Sequence, residues 1–181
     1  MQKGEVIVNI TVIKRKAKNS RVEVKGENVK VIIPIWANEK AVLKKVMPWI
    51  EKAVKRQKEL YQKAEKLTLY KRSLEEFKEY VRKKVEEYSK ELDVRIMDVK
   101  FRKMKRKWGS CSLMGRITIN KLCSYLPDEL IDYIVFHEVL HRRYMDHGRN
   151  FKHAIRKKFL NWKELEYSLK LYSIKMQMRD L

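Results

Sequence analysis

Cysteine is nearly absent from this chain. Cys111 and Cys123 are the only two in 181 residues, too few and too widely spaced for a disulfide framework or a four-cysteine zinc site. Both are expected to be reduced and buried. No apolar run is long enough to cross a bilayer, and the N-terminal "MQKGEVIVNITVIKRK" carries charges at Lys3 and Glu5 within its early apolar stretch. Neither a membrane span nor a signal peptide is expected, and a cytoplasmic protein follows. Acidic residues are also short, 23 against 44 basic ones, for a net charge of +21. Such an imbalance attracts polyanions, so DNA or RNA is a candidate partner. A Lys- and Glu-rich composition with only five glycines also suits a heat-tolerant surface. That accounts for the number of charges but not for their sign.

What is present suffices for a core. Apolar residues make up 44% of the chain, and the length suits one compact domain or one with a smaller appended layer. "EVIVNITVI" and "RVEVKGENVKVIIP" read as strands, the second stretch as a hairpin turning at Gly26. Asn38 is placed to cap a helix, which Pro48 interrupts or restarts, and Trp49, Ile50, Ala53, Leu60 and Ala64 form a stripe expected to be buried. "KLTLYKR" reads as a connector. Ser73 to Glu76 is a capping box, opening an amphipathic helix through Leu74, Phe77, Val81, Val85, Tyr88 and Leu92. Residues 96–103 and 116–120 are short strands around "KWGSCSLMG", and Pro127 opens a helix expected to run through Arg143.

Histidine is scarce too, yet all four, His137, His141, His147 and His153, fall within "DYIVFHEVLHRRYMDHGRNFKH". In "HEVLH", His137 and His141 stand one turn apart on what reads as an amphipathic helix, so both imidazoles meet on one face and suit one metal ion. Glu138 beside them suits a general base acting on a metal-activated water. A tetrahedral catalytic site wants a third protein ligand. His147 is the natural candidate, with Gly148 easing the backbone, and His153 is the competitor, expected on the next helix.

"KWGSCS" at 107–112, followed by Gly115, Ile117 and Asn120, then "DYIVFHEVLH" and "DHGRNF", resembles the YgjP-like metallopeptidases, relatives of SprT-like zinc proteases in the zincin group. The hairpin ending at Pro34 and "MPWIEK" are similar as well. The resemblance implies Zn²⁺ held by His137, His141 and His147, Glu138 as catalytic base, and hydrolysis of peptide bonds in a protein or peptide substrate. It implies an α+β fold: a zincin-like core, with the active-site helix beside a small sheet, joined to an N-terminal antiparallel β layer and connecting helices. The His141-to-His147 spacing also matches metzincins, but Tyr144 stands where those have glycine, and no clear Met-turn follows.

The chain is accordingly divided into an N-terminal layer and helices at 1–72 and a catalytic domain at 73–181. The run "KFRKMKRK" at 100–107 is a candidate polyanion-facing groove edge leading into "WGSC". Trp108 reads as a core anchor, Cys111 as a small residue in a turn, and Asp132 as off the metal face. The rival to a zinc peptidase is a basic nucleic-acid-associated protein with a structural zinc site and no hydrolase activity. Oligomeric state is not legible.

Overall fold

The computed structural model describes residues 9–25 and 28–180. The start of the expected first strand, at Glu5, and the hairpin turn at Gly26 lie outside them. The chain divides into two compact units, Met1–Lys66 and Leu67–Leu181, each with its own apolar core. No helix among the described residues is long and apolar enough to cross a membrane.

The first unit holds β1 (Asn9–Arg15), β2 (Arg21–Lys25), β3 (Asn28–Pro34) and α1 (Glu39–Glu65). β2 and β3 are the expected antiparallel pair, but β1 adds to the other side of β3 in parallel, so the layer is mixed. Val29, Val31 and Ile33 alternate onto its buried face and meet Ile50 and Val54 of α1. Asn38 caps α1 by accepting from the Ala41 amide. Pro48 does not break the helix. It removes one amide from the ladder, while the packing of Val46, Met47, Ile50 and Val54 holds the flanking turns together. Trp49 is exposed rather than part of the buried stripe, which keeps Ile50 and Ala64.

The second unit holds α2 (Leu74–Glu91), β4 (Asp98–Arg102), β5 (Gly109–Cys111), β6 (Arg116–Asn120), α3 (Asp128–Leu140), α4 (Arg149–Lys158) and α5 (Trp162–Met178), with a 3₁₀ turn at Lys121–Tyr125. Its sheet repeats the topology of the first: β6 is central, β4 runs parallel to it and β5 antiparallel. The Ser73–Glu76 capping box forms in full, and Arg72 pairs with Asp128 in the first turn of α3. The connector belongs to this unit: the Tyr70 amide bonds the Tyr125 carbonyl, and the Tyr172 hydroxyl bonds that of Thr68.

α3 is not the amphipathic helix its sequence suggested. Leu130, Ile131, Tyr133 to Phe136 and Glu138 to Leu140 are all buried, because α2, α5, β5 and β6 surround it. It also ends at Leu140, three residues short of the expected Arg143. The whole is α+β, with the histidine-bearing helix packed beside a small sheet.

Candidate metal centre and active-site cleft

α3 is buried along most of its length, and its C-terminal half reaches a cleft. There His137 and His141 share a face, and the chain leaves the helix to bring His147 back across them. One ring nitrogen from each of the three lies within 4.8 Å of the others, and the Nε2 atoms of His137 and His147 are 3.0 Å apart. His153, on α4, is exposed and outside the cluster. Phe151 packs against all three imidazoles, with ring centroids 4.7–4.8 Å away, fixing their planes from the α4 side.

The donor set fits a cation. His141 Nδ1 lies 3.1 Å from the Tyr144 carbonyl, which only accepts, so the proton sits on Nδ1 and the Nε2 lone pair is free to ligate. Burial, reinforced by the neighbouring histidines, pulls His137 down to about 4. Burial also lowers His141. Both rings are therefore neutral near pH 7, the form a metal requires. Three imidazoles converging on one point, with the carboxyl group of Glu138 adjacent, are a donor set of the kind that holds a metal ion with a coordination position open.

His147 is presented by a short turn in which the Gly148 amide donates to Asp146 Oδ1 at 3.2 Å. Gly148 has φ −68, open to any residue, so the expected backbone easing is not its role. A Cβ there would instead meet Asp146 Oδ1 at 3.0 Å.

Glu138 is buried, and burial pushes its carboxyl up to about 7, with Lys107 drawing it the other way. The "WGSC" block lies over it. Gly109 leaves just enough space for the carboxylate: a Cβ at that position would stand 2.6 Å from Glu138 Cγ and Oε1. A side chain is excluded at this glycine by Glu138.

A cleft of about 490 Å³ opens over the cluster, walled by residues 107–111 on one side and by Tyr133, Ile134, Met145, Glu166 and Leu169 on the other. Trp108 packs on the core as expected, and its edge also lines this cleft. The Cys111 thiol faces the cleft with its pKa raised by burial and by Glu138, so it stays protonated, and it is not one of the clustered ligands. Asp132 points away, to the Tyr80 hydroxyl and Lys84.

Sequence reasoning missed Tyr133 and Glu166. Tyr133 donates to Glu166 at 3.1 Å, and both line the cleft and a neighbouring pocket beside His137 and His147. Tyr133 had a signal: it stands four residues before His137, on the same face. Glu166 is brought in from α5 and had none.

The sequence profile of the YgjP-like family, described as "YgjP-like, metallopeptidase domain", matches residues 60–172. The chain belongs to the YgjP-like metallopeptidase family. Solved structures similar to it include two metallopeptidase zymogens. The metallopeptidase zymogen jannalysin of Methanocaldococcus jannaschii is 25% identical, covering 49% of this chain and 92% of that one with a TM-score of 0.46. The zymogen abylysin of Pyrococcus abyssi is 22% identical, covering 54% and 93% with a TM-score of 0.43. No curated protein matches. Family membership makes the chain a metallopeptidase, with protein or peptide as its substrate class.

Proposed function

We propose that the chain is a zinc peptidase in which His137, His141 and His147 hold the ion and Glu138 is the general base. One observation carries the reading: three imidazole donors converge beside a buried carboxyl group that reaches the same cleft. Zinc is favoured because a three-imidazole set suits it, and when bound it would polarise a carbonyl and acidify water. Glu138 takes the proton of the attacking water and returns it to the leaving amine. β5, whose outer edge carries no ladder partner among the described residues, runs along the cleft and offers amides and carbonyls to an extended peptide. Hydrolysis of an unstructured protein such as casein, abolished by chelation and by Glu138→Gln, tests this. Undiminished cleavage by Glu138→Gln would remove the mechanism.

The two free thiols favour a reducing compartment, in keeping with a cytoplasmic enzyme. The net charge of +21 favours a second element, recruitment to DNA or RNA so that bound proteins are the substrates. Salt-dependent DNA binding, with DNA stimulating cleavage of a DNA-binding protein at low salt, is the expected result. Absence of stimulation removes that element. A purely structural zinc site is the poorer reading, because such a site has no use for a carboxylate beside an open position.

A further inference from the structure

Between β4 and β5 the chain forms a loop at residues 103–107. Lys103, Lys105, Arg106 and Lys107 are all exposed on it, and among the described residues none of the four is ion-paired. Four like charges in five residues repel one another, and such a segment would ordinarily splay. This one is pinned from beneath.

Asn120, only 2% exposed, donates through Nδ2 to the carbonyls of Met104 and Lys107 at 2.7 and 2.8 Å. Its Oδ1 accepts from the amides of Met104 and Leu122, and its own amide bonds the Trp108 carbonyl. The loop's polar backbone is thus drawn inward while its cations remain at the surface, so the backbone that carries the charges is held before anything binds.

Those cations line a groove of about 750 Å³ closed on its far side by the end of α5 and the residues after it, among which Asp180 is the lining carboxylate. Lys107 and Trp108 belong both to this groove and to the catalytic cleft. The groove therefore adjoins the cleft at these two residues.

We propose that the 103–107 groove recognises an acidic segment of the substrate polypeptide, with Lys103, Lys105 and Arg106 pairing its carboxylates as the chain leaves the catalytic cleft past Lys107 and Trp108. This rests on the peptidase reading above. The groove's four cations and its wall shared with the cleft at Lys107 and Trp108 favour carboxylates on the chain being cut. Nucleic acid would instead need phosphate contacts spread along a wider basic face.

The test uses labelled peptides that carry a Glu triplet on one flank or the other of a common cleavable sequence, each with a Gln-matched twin. Three exposed charge pairs at low salt give a preference for one Glu peptide of about tenfold in kcat/KM, expressed in KM. Lys103→Gln/Lys105→Gln/Arg106→Gln is expected to bring that ratio close to one. Lys52→Gln/Lys55→Gln/Lys58→Gln on α1, with the same loss of charge, is expected to keep it. Fluorescence anisotropy with Glu138→Gln protein reads the preference without turnover, so the two failures separate. If no peptide is cut while the Glu peptide still binds tighter and loses that advantage in the loop variant, the groove stands and the peptidase reading falls. Equal binding of Glu and Gln peptides, an equal loss in both triple variants, or single-stranded DNA as the only ligand the loop variant loses, would each overturn the groove assignment.

Discussion

A methyl group on the Gly109 Cα would stand 2.6 Å from both Cγ and Oε1 of Glu138. The glycine of "WGSC" and the carboxylate of "HEVLH" thus occupy complementary space, although 29 positions separate them in the chain. Gly109→Ala is expected to displace the base while the three imidazoles keep their places. A shift of about an ångström in a catalytic group costs on the order of 10²-fold in kcat/KM. Metal content should be unchanged, and kinetics beside elemental analysis on the same preparation will show whether the two separate.

Glu138→Gln keeps the shape of the side chain and removes its basicity. Turnover should fall about 10³-fold, within the usual range for a lost general base, with metal stoichiometry retained. A variant as active as wild type would assign the proton transfer elsewhere.

The metal-free chain carries opposed titrations, those of His137 and His141 on one side and that of Glu138 on the other. His137 is pulled from 6.5 to about 4, so between those values the unfolded chain binds the extra proton, and stability is lost as pH falls from 6.5 toward 4. Glu138 is pushed from 4.5 to about 7, so the folded chain binds the extra proton, and stability is lost as pH rises from 4.5 toward 7. Over pH 4.5–6.5 they offset. Glu138→Gln removes one of them, and in chelator the variant should lose more stability than wild type between pH 6.5 and 4.5. Urea titrations at the two pH values measure this. Equal losses would contradict the opposed pair.

Asn120→Ala leaves the Met104 amide and the carbonyls of Met104 and Lys107 without their partner. The expected cost is about 2 kcal/mol for the buried hydrogen bonds lost, read as a shift in denaturation midpoint. Faster amide exchange should appear at 103–108.

Much of the site was legible because its signal is local. The i, i+4 histidines, the adjacent glutamate and the capping box at Ser73 are set by helix geometry over a few residues, and the structure places them as that geometry requires. Long-range features were not. The parallel pairing of β1 with β3 depends on which strand edge is free, which no residue of β1 encodes. The burial of α3 on every side comes from four neighbours, whereas its own sequence read as amphipathic. Gly109 stood in a stretch read as the link between two strands, and the tertiary contact with Glu138 gives it its reason. Pro48 marked a break that a well-packed helix absorbs, and Glu166 reaches the cleft from a helix with no motif of its own.

Metal content, by elemental analysis of tag-free protein with His147→Ala and His153→Ala alongside wild type, tests the central claim most directly. Wild type and His153→Ala should each carry near one zinc per chain, and His147→Ala should lose most of it. Wild-type protein that takes up no metal when zinc is supplied, or a site emptied by His153→Ala and untouched by His147→Ala, would contradict the account.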